Sequence, residues 1–184
     1  GRPHDYLWLC TTQPGLIYSE MKQAYDNNAR QEWIVNIHDP KPAAYDLELF
    51  MDMAWNINSV SPSTINNHLG NWLIREFGEN AGKKLLPVMQ EYYRLCGIRR
   101  PEHMGWTQVE LDKATNVRGM SWMKDTEFSN EFGGEMDRYL EHYADIKKAV
   151  EDIKQDIADE KRDAYFSHIE YQVCAAADMA TKML

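Results

Sequence analysis

The apolar residues of the chain fall into two regimes. Up to Ile37 they come in short runs, Tyr6-Leu7-Trp8-Leu9-Cys10 and Trp33-Ile34-Val35-Asn36-Ile37, separated by a turn at Gln13-Pro14-Gly15 and a helical stretch over residues 16–28. Short near-continuous apolar runs rich in Ile and Val suit strands buried on both faces, and strand–helix–strand spacing implies a parallel crossover. His38-Asp39-Pro40-Lys41-Pro42 ends the second run, because Pro40 and Pro42 have no N–H for a ladder and turn the preceding residues away from the helical region. Two strands do not make a stable sheet alone, so residues 1–42 read as the closing part of a barrel or open sheet.

From Ala43 onward the period is helical. Leu47, Phe50, Met51, Ala54 and Trp55 recur at three- and four-residue intervals and predict a helix over 44–57 with one apolar face. Ser61-Pro62 is a helix start, with a serine cap and proline in the first turn, and the helix it opens ends at Gly78. Leu85, Met89, Tyr92 and Leu95 predict a third helix over 79–95, stopped by Gly97, with a kink or a helix start at Pro87. Residues 99–126 lose the pattern and read as a long connection holding one short helix over 108–114. Periodicity returns at about residue 129 and runs through Tyr139, Tyr143, Ile146, Val150, Ile153 and Ile157, with mixed charges on the opposite face. The charge run over 156–163 reads as a solvated turn. The small residues around Cys174-Ala175-Ala176-Ala177 place a last helix, 164–183, centrally with close neighbours. The fold class is therefore mainly α, an antiparallel bundle of about four to five helices over residues 43–184, preceded by a short α/β remnant.

Composition narrows the function. A chain of 184 residues with 43% hydrophobic residues can bury a core, and its net charge of -9 excludes binding driven by nucleic acid phosphates. The longest apolar runs are far short of a membrane span. Cys10, Cys96 and Cys174 lie far apart and do not form a disulfide framework, and no His/Cys spacing suggests a metal centre, so neither metal nor cofactor is expected. Six Trp and ten Tyr suit a carbohydrate-handling surface as well as a helical core. The opening Gly1-Arg2-Pro3, without a Met, suggests an interior piece of something larger.

Four segments carry a family resemblance. They are Trp33-Ile34-Val35-Asn36-Ile37-His38-Asp39-Pro40-Lys41-Pro42; Leu49-Phe50-Met51-Asp52-Met53-Ala54-Trp55; Phe77-Gly78 with Tyr92-Tyr93 and Arg99-Arg100-Pro101-Glu102; and Arg162-Asp163-Ala164-Tyr165-Phe166. In this order, over nearly all of the chain, they resemble glycoside hydrolase family 115, the xylan alpha-1,2-glucuronidases, with His38 standing where the family pattern has glycine. The resemblance implies a (β/α)8-like catalytic barrel whose last units are residues 1–42, running into the helical bundle of 43–184. It implies an inverting hydrolase that releases glucuronic acid or 4-O-methylglucuronic acid side chains from xylan. Inversion uses a carboxylic acid and a carboxylate roughly 6.5–9.5 Å apart with water between. The resemblance places both on loops before this chain begins, so that the piece alone is inactive. It also implies secretion or a periplasmic location.

Within this scheme Asn36 is the substrate contact, its amide at the carboxyl end of a strand where barrel enzymes meet their ligands. Asp39 and Lys41 orient the same region or hold the domain junction. His4 and Asp5 fall where a barrel loop faces the pocket, and Arg2 is a clamp for a uronate carboxylate, since a guanidinium binds one through two parallel bonds. Glu102 is read as pairing within the bundle. Trp106 and Trp122 are read as buried against the long helices, with stacking on xylan as the alternative. The expected partner is glucuronoxylan or its oligosaccharides. The rival class is a non-enzymatic helical scaffold or homodimerisation module, and a carbohydrate-binding module comes third.

Overall fold

Proline at the first turn and an extended Gln13 start the first helix, α1 (Pro14–Asp26). It ends at Asn27 and Asn28, the latter with φ 71°, a left-handed position that asparagine tolerates. The computed structural model describes residues 8–37, 39–103, 109–111, 120–122, 130–131 and 133–183, and over these the chain is mainly helical. After α1 come α2 (Ala44–Trp55), α3 (Ile65–Phe77), α4 (Glu79–Ile98), a short hairpin of β1 (Val109–Leu111) and β2 (Met120–Trp122), and α5 (Glu135–Ile153). The chain closes with the short α6 (Arg162–Tyr165), a π-helical turn (Phe166–Glu170) and α7 (Tyr171–Met183). Antiparallel pairing in the hairpin sets Val109 opposite Trp122 and Leu111 opposite Met120.

The bundle is built by α3 on α4, α4 on α5, and α5 on α7, with α1 packed on α2. Gly78 (φ 85°) is at once the stop of α3 and the start of α4, a turn that only glycine makes without strain. Just beyond it Gly82 lets the two helices touch, since a Cβ there would sit 2.6 Å from the Ile74 backbone. The stripe of α5 is the expected one, Tyr139, Tyr143, Ile146, Val150 and Ile153, all buried. Ile169 in the π-helical turn and Val173, Ala176 and Ala180 on α7 are wholly buried, so small residues occupy the middle of the bundle as their pattern predicts. Among the described residues no helix is long and apolar enough to cross a membrane.

Several expectations are corrected. No strand forms over 33–37 or over the described residues 8–10. A strand needs a neighbour for its N–H and C=O groups, and here the backbone of Cys10 is taken up by side chains: its N–H by Gln172 and its carbonyl by Tyr92. Residues 33–37 are not buried either, with Ile34 80% and Val35 38% exposed. The remnant of a barrel is therefore not visible as a sheet. On α2 the buried face is Tyr45, Asp46, Leu49, Phe50 and Met53, while Met51 and Trp55 of the predicted stripe point outward. Both stripes have helical spacing, and contact with α1 and α3 selects between them. Helix α3 begins a turn later than predicted, with Ser61 in the preceding turn, where its N–H donates to Thr64 Oγ1. Helix α4 runs through both Pro87 and Gly97 as one element. Val109–Leu111 are strand, not helix, because they pair with β2. The long helix starts at Glu135, after Gly134 in a left-handed conformation.

Candidate functional site

A cavity of about 270 Å³ opens between the N-terminal segment, α1, α2 and the stretch that leads into α2. Trp8, Leu9 and Ile17 line one side, Leu47 and Phe50 another, and Asn36 and Asp39 stand on its exposed rim. Two of the expected contact residues are thus brought to one opening by the chain that runs from the apolar run through the prolines. Lys41 is exposed but does not line it. Arg2, His4, Asp5, His38 and Trp106 lie outside the described residues, as does the side chain of Trp122. Glu102 is fully buried and accepts a hydrogen bond from the Thr11 hydroxyl, in keeping with a pairing role inside the bundle.

Behind this cavity lies a buried polar cluster centred on Cys10. Its N–H donates to Gln172 Oε1 (2.9 Å), and its carbonyl accepts from the Tyr92 hydroxyl (3.1 Å), which also reaches Gln172 Oε1 at 3.3 Å. Its thiol donates to Asp46 Oδ2 at 2.9 Å. One residue of the N-terminal segment is therefore held by α2, α4 and α7 together. Burial, reinforced by the Asp46 charge, pushes the Cys10 thiol far above its usual range, so it is not a nucleophile. Burial also pushes Asp46 up to about 7, against the lowering effect of Cys10 and of the Tyr93 hydroxyl. Asp46 Oδ1 has no hydrogen-bond partner. Near neutral pH this acid is divided between its charged and neutral forms.

Sequence reasoning did not find Asp46, Cys10 or Gln172. The signal for Asp46 was present: it stands three, four and seven residues before Leu49, Phe50 and Met53, a carboxylate on the buried face of a helix. Cys10 and Gln172, 162 residues apart, gave no such signal.

The described residues also offer a three-ligand group for a cation. Glu48, Asp52 and His68 each bring one ligand atom within 4.8 Å of the others. Each is already engaged: Glu48 with Arg75 Nη1 (2.8 Å), His68 Nε2 with Asp52 Oδ2 (3.0 Å) and His68 Nδ1 with the Tyr45 hydroxyl (3.4 Å). The group reads as a surface ion-pair cluster linking α2 and α3.

The chain superposes on a solved 4-O-methyl-alpha-glucuronidase of family GH115, BtGH115A, with specificity for decorated arabinogalactans. The TM-score is 0.85 at 43% sequence identity, over 100% of this chain and 23% of that one. The chain thus spans less than a quarter of that enzyme's length. Among curated proteins, none matches the sequence. The sequence profile described as glycosyl hydrolase family 115 matches residues 1–103, which include the segment 8–12, both rim residues, α2 and most of the polar cluster. The chain belongs to glycosyl hydrolase family 115.

Proposed function

We propose that this chain is the junction of an inverting glycosidase that removes glucuronic acid or 4-O-methylglucuronic acid side chains from xylan. The observation that carries the proposal is the placement of Asn36 and Asp39 together on the rim of one cavity, in a chain of this family. An amide is suited to bonding a sugar hydroxyl or a uronate carboxylate. Asp39 accepts from hydroxyls or orients the loop, and Arg2, His4 and Asp5 are further candidates for substrate contact. The general acid and base lie on polypeptide outside this chain, so residues 1–184 alone are inactive. The specificity of the similar enzyme makes decorated arabinogalactan the second substrate to test. A polymeric substrate that does not enter a cell intact puts the enzyme in a secreted or periplasmic compartment.

In domain terms, residues 1–42 close the catalytic barrel and residues 43–184 form the helical bundle against which it rests. Support comes from the outward apolar side chains of Ile34 (80% exposed), Met51 (52%) and Trp55 (93%), which suit a face covered by more of the same protein. The same face supports the second reading, a scaffold or dimerisation module.

Asn36→Ala in the full-length enzyme tests the proposal. Loss of a hydrogen bond to substrate is expected to lower kcat/KM by roughly 10- to 100-fold with folding unchanged. Unchanged kinetics on both glucuronoxylan and decorated arabinogalactan would reduce Asn36 to scaffold. Release of uronic acid by residues 1–184 alone would overturn the placement of the acid and base elsewhere.

A further inference from the structure

The cavity and the polar cluster share a wall. Residues 8–12 line the cavity through Trp8, Leu9, Cys10 and Thr12, and the Cys10 thiol is the point at which that wall meets α2, on Asp46. The groups facing Asp46 are Cys10 from the wall and the Tyr93 hydroxyl from α4. Around them stand Tyr45 and Glu48 on α2 itself, Asp39 on the rim, and Glu102, which bears on Cys10. All are acids or neutral donors, and among the described residues no cation acts on Asp46. From the π-helical turn, His168 lines a small cavity with Cys10, Tyr45 and Tyr93; burial lowers its pKa, with the Glu76 charge opposing that shift and Lys41 adding to it. From α1 the cavity receives only Ile17.

A charge in this place has one thiol bond, one phenol and an unpartnered oxygen to replace its hydration. Burying an ion on such terms is costly, and the cheapest relief is to admit water from the adjoining cavity. Admitting water there means moving the wall. We propose that Asp46 is a positioning residue for the cavity: while neutral it lets residues 8–12 close on α2 through Cys10, and on ionising it loosens that wall and weakens the grip on ligand at Asn36 and Asp39. The ligand part of this statement rests on the function proposed above; the movement of the wall does not.

The experiment uses the full-length enzyme, wild type and Asp46→Asn, between pH 5.5 and 8.5. Amide hydrogen exchange of the peptide covering residues 8–13, corrected for the intrinsic pH dependence, reads the wall directly. Protection in the wild type is expected to fall about tenfold through neutral pH, equivalent to about 1.4 kcal/mol of opening free energy, and to stay level in Asp46→Asn. Alongside, KM for glucuronoxylan should rise in the wild type over the same interval with kcat less affected, and this rise should vanish in the variant. Level protection in the wild type, or a fall that persists in Asp46→Asn, overturns the proposal. If Asp46→Asn does not fold, Asp46→Glu takes its place, and an unshifted transition in it is equally fatal. Should the wall respond as expected while no uronic acid is released from any polymer at any pH, the proposed function fails and the positioning role of Asp46 stands.

Discussion

Cys10 and Gln172, 162 residues apart, meet through a 2.9 Å hydrogen bond from the Cys10 N–H to the Gln172 side-chain carbonyl. In a sheet that N–H would face a neighbouring strand. Here a glutamine that is 1% exposed, on the last helix, takes the strand's place, and Tyr92 does the same for the Cys10 carbonyl. Gln172→Leu keeps the volume but leaves a buried donor without an acceptor, which costs about 1–3 kcal/mol. Urea unfolding should show that loss in the midpoint with the slope unchanged. An effect within error would mean that the N-terminal segment is not held by α7.

Asp46 makes stability depend on pH with a definite sign. Its folded pKa is raised from 3.8 to about 7, so the folded chain binds this proton more tightly than the unfolded one. The resulting stability is present in full below about pH 4 and is lost as pH rises to about 7. Integrated over that shift, the loss is on the order of 4 kcal/mol, an upper figure if the wall relaxes. Asp46→Asn should remove this slope, so the difference in unfolding free energy between wild type and variant should move in the variant's favour from pH 4 to pH 8. Parallel curves for the two proteins would show that Asp46 ionises in the folded state as it does in the unfolded chain.

The helices were legible because their signals are local. The Tyr139-to-Ile153 stripe and the Gly78 stop each depend on residues within a few turns, and each is found in place, whereas α1 starts at Pro14, inside the stretch that reads as a turn. What was not legible depends on partners distant in sequence. Residues 33–37 have strand-forming side chains but no ladder, because strand formation is a property of the pair and not of the run. Helix α2 carries two apolar stripes, and only packing on α1 and α3 shows which is inward. For the candidate site, Asn36 and Asp39 were expected from the family resemblance of the segment that ends the apolar run, whereas the Cys10, Tyr92 and Gln172 cluster required the folded chain.

Gly82 and Gly97, both within α4, should respond to alanine in opposite ways. At Gly82 the added methyl would meet the Ile74 backbone N and Cα at 2.6 Å, and backbone does not rotate aside as a side-chain end does. Helices α3 and α4 must part, at a cost of about 1–3 kcal/mol that alanine's better helix propensity offsets only in part. At Gly97 nothing lies within 4 Å of the new methyl, so Gly97→Ala should stabilise by up to about 1 kcal/mol. Thermal unfolding of the two variants side by side checks this, and a gain in Tm for both would mean that α3 and α4 are not in close contact at Ile74.

The outward apolar face of α2 separates the domain-junction reading from a chain that stands alone. Trp55 is 93% exposed and Met51 52%, and Ile34 adds a third unburied side chain at 80%. If the remainder of the enzyme covers this face, Trp55→Ser should shift the stability of residues 1–184 alone by no more than about 0.5 kcal/mol, as for any solvated surface position. The same substitution in the full-length enzyme should cost about 1.5–3 kcal/mol, the contribution of a large apolar side chain buried at an interface. Unfolding of both forms, each with and without the substitution, gives the comparison. Equally small effects in the two would leave α2 facing solvent in the whole enzyme, and the bundle would then meet the catalytic domain through some other surface. A loss in the short form that grows with protein concentration would identify the occupant as a second copy of the chain, because only self-association makes the measured stability depend on concentration.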